Sequence, residues 1–188
     1  MQLPMLLRTL TLGLAALLLC TSARADVSIV CLGDSGIRGK GVPEEDAYPA
    51  QLERALRAKG HHVTVSNEGI NGDSVQGVLK RLDWAVPVGT NIVVLHIGGI
   101  DRKNYRPESY ISQKTKEIID RLTARGAVVV DYSNGAKLPH LGPEFHVEPQ
   151  GSVPDWDYHL NAAGYAIIVR FTLPRLEALV AAAEKHNR

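Results

Sequence analysis

The chain has 188 residues, and its 21 Lys and Arg nearly balance 20 Asp and Glu. That balance argues against a nucleic-acid footprint or a polybasic membrane-binding surface. At this length, with a hydrophobic fraction of 45%, the chain suits one domain with a real core and hardly two.

The first 25 residues read as an export leader. Arg8 supplies a positive flank, residues 9–20 are apolar, and Ala23-Arg24-Ala25 fits a small-x-small cleavage site. The apolar stretch is too short to cross a bilayer as a helix, so no stable membrane insertion is expected. Cleavage after Ala25 would deliver residues 26–188 to the periplasm or the exterior. Cys20 leaves a lipoprotein as the alternative, with the bulky Leu19 against it. Cleavage removes Arg8 and Arg24, so 19 basic residues face 20 acidic ones and the formal charge passes from +1 to −1. Cys31 is then the sole cysteine and no internal disulfide can form. Its place in an apolar run marks it as a small core residue.

From there strand and helix patterns alternate. Residues 27–32 are apolar and β-rich, and they break into the turn Gly33-Asp34-Ser35-Gly36. Residues 47–59 carry Leu52 and Leu56 one helical turn apart. Residues 62–66 alternate as a strand, and 75–85 repeat apolar side chains at Val78, Leu79 and Leu82. Residues 91–97 form a run suited to a central parallel strand. Residues 108–125 predict a helix with Ile111, Ile118, Ile119 and Leu122 as its buried stripe. Residues 127–131 are a further short buried run, and 161 to about 185 are helical, bent or broken at Pro174. Strands alternating with amphipathic helices imply an α/β fold: a three-layer α/β/α sandwich with a mainly parallel sheet. The segment from Tyr132 to Asp157 is long and rich in Gly, Pro and His. Loops of that length are often functional, and this one has room for a short fifth strand at Phe145-His146-Val147.

Ser35 ends the first strand and His159 precedes the last helix, so both project over the carboxyl edge of the sheet, where open α/β folds place their ligands. Acyl transfer needs a nucleophile, a base in hydrogen-bond reach and donors for the developing oxyanion. Ser35 and His159 are the candidates for the first two. Asp155 or Asp157 is near enough in sequence to orient the imidazole. The glycine turns at Gly72 and at Gly98-Gly99 can aim backbone N–H groups into the same crevice. The plainer alternatives are a cap for Ser35, a helix-entry residue for His159, solvated loop carboxylates for the aspartates and a left-handed turn for Gly72. By the same reasoning Asp34 braces its turn, Asp73 and Ser74 cap the helix from Val75, and Asp101 lines the pocket or sits on a surface loop.

Four blocks in order resemble the SGNH (GDSL-type) hydrolase family: Gly33-Asp34-Ser35, Asn67 to Ser74, Gly98-Gly99-Ile100-Asp101, and the run His159-Leu160-Asn161-Ala162-Ala163-Gly164-Tyr165. The chain is similar to the small bacterial thioesterases, lysophospholipases and arylesterases of that family, over the whole of residues 26–188. The resemblance implies a flavodoxin-like SGNH hydrolase fold, Ser35 as nucleophile, His159 as base, and the N–H groups of Ser35 and Gly72 as oxyanion donors. It also implies hydrolysis of short-chain, aryl, thio- or lysophospholipid esters. Two departures stand out. The family has asparagine, an oxyanion donor, where this chain has Ile100. It also has aspartate three residues before the histidine, where Trp156 stands. Asp155 lies one position too early and is preferred as orienter over Asp157, one too late.

The expected partner is therefore a small acyl ester or thioester, with no cofactor. No metal site is expected, because the seven histidines show no ligand spacing: His61 and His62 are adjacent, and His140 and His146 lie six apart in a loop. His96 reads as a hydrogen-bonded core or pocket residue. The long loop is expected to shape the acyl pocket, with Trp156 as a wall. The rival reading is a weakened domain that binds acyl or glycan ligands without efficient turnover, and Ile100 and the displaced aspartate favour it.

Overall fold

The computed structural model describes residues 26–133, 138–139, 141–147 and 159–187. In chain order these are β1 (Val27–Gly33), α1 (Ser35–Arg38), α2 (Tyr48–Ala58), β2 (Val63–Gly69), α3 (Val75–Ala85), β3 (Ile92–His96), α4 (Gly99–Lys103), α5 (Glu108–Thr123), β4 (Val128–Asp131) and α6 (Ala162–His186). Single 3₁₀ turns occupy Glu44–Asp46 and Pro143–Phe145.

The four strands form one parallel sheet in the order β2-β1-β3-β4. The apolar residues of β1 are all buried because both faces of the strand are covered. Ile29 and Cys31 turn toward α2 and α6, where they meet Leu52, Leu56, Ile168 and Leu176. Val30 and Leu32 turn the other way, toward Val78, Leu82, Ile118 and Leu122 of α3 and α5. This is the three-layer sandwich that the alternation of patterns predicts. Among the described residues, no helix is long and apolar enough to cross a membrane.

Three differences from the sequence reading have physical causes. β2 runs on to Gly69; its last residues, Asn67 and Glu68, are polar because an edge strand buries only part of its surface. The helix α6 is continuous through Pro174 rather than broken there. Arg170, whose carbonyl loses its helical partner to the proline ring, is exposed, so water can take the bond. Residues 145–147 form no strand. Phe145 closes a 3₁₀ turn, and His146 makes an isolated antiparallel bridge to Leu160. Cys31 is fully buried, and burial pushes its thiol pKa far above the ordinary value, in keeping with a core role.

Candidate active site

Strand register brings the site together. Gly33 of β1 pairs with Gly69 of β2 on one side and with His96 of β3 on the other. The turns that follow these three strands therefore leave the sheet at one level, at its carboxyl edge. The first turn carries Asp34 and Ser35, the second Gly72 and the third Ile100.

Asp34 caps α1: its Oδ1 accepts from Gly36 N at 3.0 Å. This is the bracing role expected of it. The short helix begins at Ser35, whose carbonyl accepts from Gly39 and Lys40. Asp34 is only 5% exposed. Burial alone would raise its pKa, but His96 and the N–H groups of Gly36 and Gly99 outweigh it and hold the carboxyl below the ordinary value. His96 Nδ1 lies 3.8 Å from Asp34 Oδ1, beyond ordinary hydrogen-bond distance.

From the far end of the chain, His159 Nε2 comes within 2.8 Å of Ser35 Oγ. Residues on both sides hold this approach. Val147 N donates to the His159 carbonyl at 2.8 Å, and Asn161 N donates to the Phe145 carbonyl at 2.9 Å. Asn161 is also the N-cap of α6: its Oδ1 accepts from Gly164 N, while its Nδ2 donates to the carbonyls of Glu144 and His146. Gly164 is needed for this contact, because a Cβ there would stand 2.4 Å from the Phe145 carbonyl oxygen. The run from His159 to Tyr165 is thus a clamp that pins residues 143–147 against the start of α6. On its other side, Gln51 Nε2 donates to the Ala162 carbonyl, and Tyr48 and Thr172 share a buried hydrogen bond of 2.9 Å.

Ser35 and His159 open onto a cavity of about 350 Å³. Its interior is largely apolar, with Val94, Leu138, Leu160 and Ile168 and the rings of Tyr132 and Tyr165. Burial, and next the charge of Asp34, raise the Tyr165 phenol well above its ordinary pKa, so it stays protonated. Ile100 lines the same cavity and His96 joins it, as expected of a pocket residue. The isoleucine offers no hydrogen-bond donor.

Other candidates are distributed differently. Gly72 lies in the turn after β2 with φ 78°, and it is not part of the cavity wall. Asp101 neither lines the pocket nor sits on the surface. It is 3% exposed, and its Oδ2 accepts from Val75 N at the start of α3. Ser74 is the N-cap of that helix. His61 contacts Glu184 and Glu177 at the opposite end of the sheet. Asp155, Trp156 and Asp157 lie outside the described residues, as do Cys20 and the rest of residues 1–25. Sequence reasoning passed over Arg81, whose place in the apolar stripe of α3 was the available signal.

An imidazole nitrogen 2.8 Å from a hydroxyl can take its proton, which is the geometry of an activated serine with its base. A serine at the edge of a parallel sheet, met by a histidine from the final helix's entry, defines a Ser–His site on an α/β scaffold. The sequence matches the GDSL-like lipase/acylhydrolase family over residues 31–154, and the chain belongs to that family. Among its relatives are an arylesterase of Vibrio mimicus, 32% identical over 61% of this chain and 58% of that protein, and the esterase TesA of Pseudomonas aeruginosa, 29% identical over 71% and 66%. The chain thus spans less than two thirds of the length of these relatives. A solved structure of TesA superposes with a TM-score of 0.65 at 22% identity, over 81% of this chain and 99% of that one, a likeness of fold.

Proposed function

We propose that the protein is a serine hydrolase of small carboxylic esters, acting through an acyl-serine intermediate. The observation that carries this reading is the 2.8 Å approach of His159 Nε2 to Ser35 Oγ at the mouth of the cavity. In the first half-reaction Ser35 Oγ attacks the acyl carbonyl while His159 Nε2 takes its proton. The Ser35 N–H is assigned to the oxyanion, and the N–H of Gly72, in the adjacent turn outside the cavity wall, is the second donor that the family resemblance implies. Collapse of the tetrahedral intermediate expels the alcohol, which receives the proton from His159. Water, deprotonated by His159, then releases the acid and restores the serine. Asp155, with Asp157 as the alternative, orients the imidazole.

A mainly apolar cavity of about 350 Å³, near the small end of ligand pockets, favours short acyl or aryl esters. Thioesters and lysophospholipids share the chemistry and remain within the substrate range of this reading. Residues 1–25 are a cleaved leader, so the enzyme works in the periplasm or outside the cell; the composition of that segment supports this. Ile100 in the cavity wall favours a second reading, an acyl-binding domain with little turnover.

Hydrolysis of p-nitrophenyl acetate and butyrate by the wild type and Ser35→Ala, with direct binding of butyrate alongside, tests both. Serine-dependent release of nitrophenol supports the hydrolase. Saturable binding without turnover in either protein supports the binder and overturns the hydrolase.

A further inference from the structure

Arg81 is a charged residue on the buried face of α3, only 5% exposed. Its guanidinium reaches three separate chain segments. Nη2 donates to the Gly33 carbonyl at 3.0 Å, at the end of β1, and to the Glu68 carbonyl at 2.9 Å, near the end of β2. Nε donates to Asp73 Oδ2 at 2.8 Å, in the turn that contains Gly72. The other oxygen of Asp73 accepts from Ser74 N at 2.9 Å. The Trp84 ring lies 5.7 Å from the guanidinium carbon and covers it. Even the helix is cut to fit: a Cβ on Gly77 would fall 1.8 Å from Asp73 Oδ1, so glycine leaves room for the carboxylate.

A buried cation requires this many partners, since burial without them costs several kcal/mol. A plain stabilising role needs no such choice of partners. Here one planar fork joins the carbonyl immediately before Asp34-Ser35 to the far side of the Gly72 turn. Those two turns carry the two backbone donors assigned to the oxyanion. We infer that Arg81 is a positioning residue that fixes the spacing between the nucleophile turn and the Gly72 turn, and hence the width of the oxyanion hole. The inference rests on the hydrolase reading above. It also bears on Ile100: with no side-chain donor at that position, the hole depends on its two backbone groups and tolerates misplacement poorly.

The test compares p-nitrophenyl acetate kinetics of the wild type, Arg81→Lys and Asp73→Asn, with thermal melts to define a temperature at which all are folded. Lysine keeps the charge but cannot donate to three sites in one plane. Asparagine keeps the size of Asp73 but loses the ion pair to Nε. Displacements of about an ångström near reacting atoms cost up to about 10²-fold. Arg81→Lys should therefore lower kcat by about 10- to 100-fold and Asp73→Asn by about tenfold, each with KM changed less than about twofold. A residue that only held the fold together would lower the melting temperature and leave kcat of the folded protein alone. If Arg81→Lys does not fold, Asp73→Asn decides. Wild-type kcat in the folded variants, with turnover still abolished by Ser35→Ala, overturns the role of Arg81 and leaves the hydrolase reading standing. Turnover independent of Ser35 in the wild type overturns both.

Discussion

Gly164→Ala is expected to destabilise the protein, although glycine-to-alanine changes in a helix ordinarily do the reverse. Gly164 lies in the first turn of α6, where an alanine would gain up to about 1 kcal/mol from helix propensity. Against this, the added Cβ would meet the Phe145 carbonyl oxygen at 2.4 Å and Leu160 side-chain atoms at 3.1 Å. Leucine atoms can give way by a few tenths of an ångström. A backbone oxygen cannot move without its segment, and this one also accepts from Asn161 N at 2.9 Å. Overpacking of this kind costs about 1–3 kcal/mol, and loss of the Asn161 bond adds about 1 kcal/mol. The net expectation is a loss of about 1–3 kcal/mol, or about 3–9 °C in Tm for a domain of this size. Urea titration monitored by circular dichroism measures it as a lower midpoint at unchanged slope. Because the displaced segment also holds the His159 carbonyl through Val147 N, turnover should fall with stability. A variant more stable than the wild type with full turnover would refute the clamp.

Asp34→Asn should lower stability at neutral pH, because the folded protein holds this carboxyl below its ordinary value. A group whose pKa is lower folded than unfolded stabilises above its unfolded pKa. That contribution is lost as pH falls through the folded value, so the Tm gap between wild type and variant should narrow once pH drops below 3.8, the ordinary aspartate value. A gap that widens on acidification would contradict this assignment. Ile100→Asn returns a side-chain donor to the wall of the cavity; one such donor is worth about 10²–10³ in turnover. Partial alignment in this background gives an expected rise in kcat for p-nitrophenyl acetate of about tenfold or more, and an unchanged or lower kcat would refute the account of Ile100.

What the sequence revealed depended on the length of each signal. Long elements with clear periodicity, such as α5 and the apolar run of β3, were legible because burial on one or both faces writes itself into residue choice. The helices α1 and α4, of 4 and 5 residues, have too few turns for a periodicity. Their existence follows from local geometry, the Asp34 cap in one case and the left-handed Gly98 in the other. Ser35 and His159 were legible as a pair only because both flank elements that end at one sheet edge. The purpose of Gly164 and Asn161 was hidden in the sequence, because residues 143–147, which they hold, carry no regular pattern. Arg81 reads in sequence as an ordinary charge on a helix until its position beside Val78 and Leu82 is compared with the buried stripe. Asp101 misled for the opposite reason: an acid in a glycine turn suggests a site, whereas its partner is the start of a helix distant in sequence.

The most direct test of the central claim is covalent labelling. Residues 26–188 would be treated with a fluorophosphonate, which reacts with activated serines, and the adduct located by peptide mass spectrometry. The account predicts a single adduct on Ser35, labelling slowed sharply in His159→Ala, and none in Ser35→Ala. An unlabelled wild-type protein, or an adduct on another residue that persists in Ser35→Ala, would contradict it.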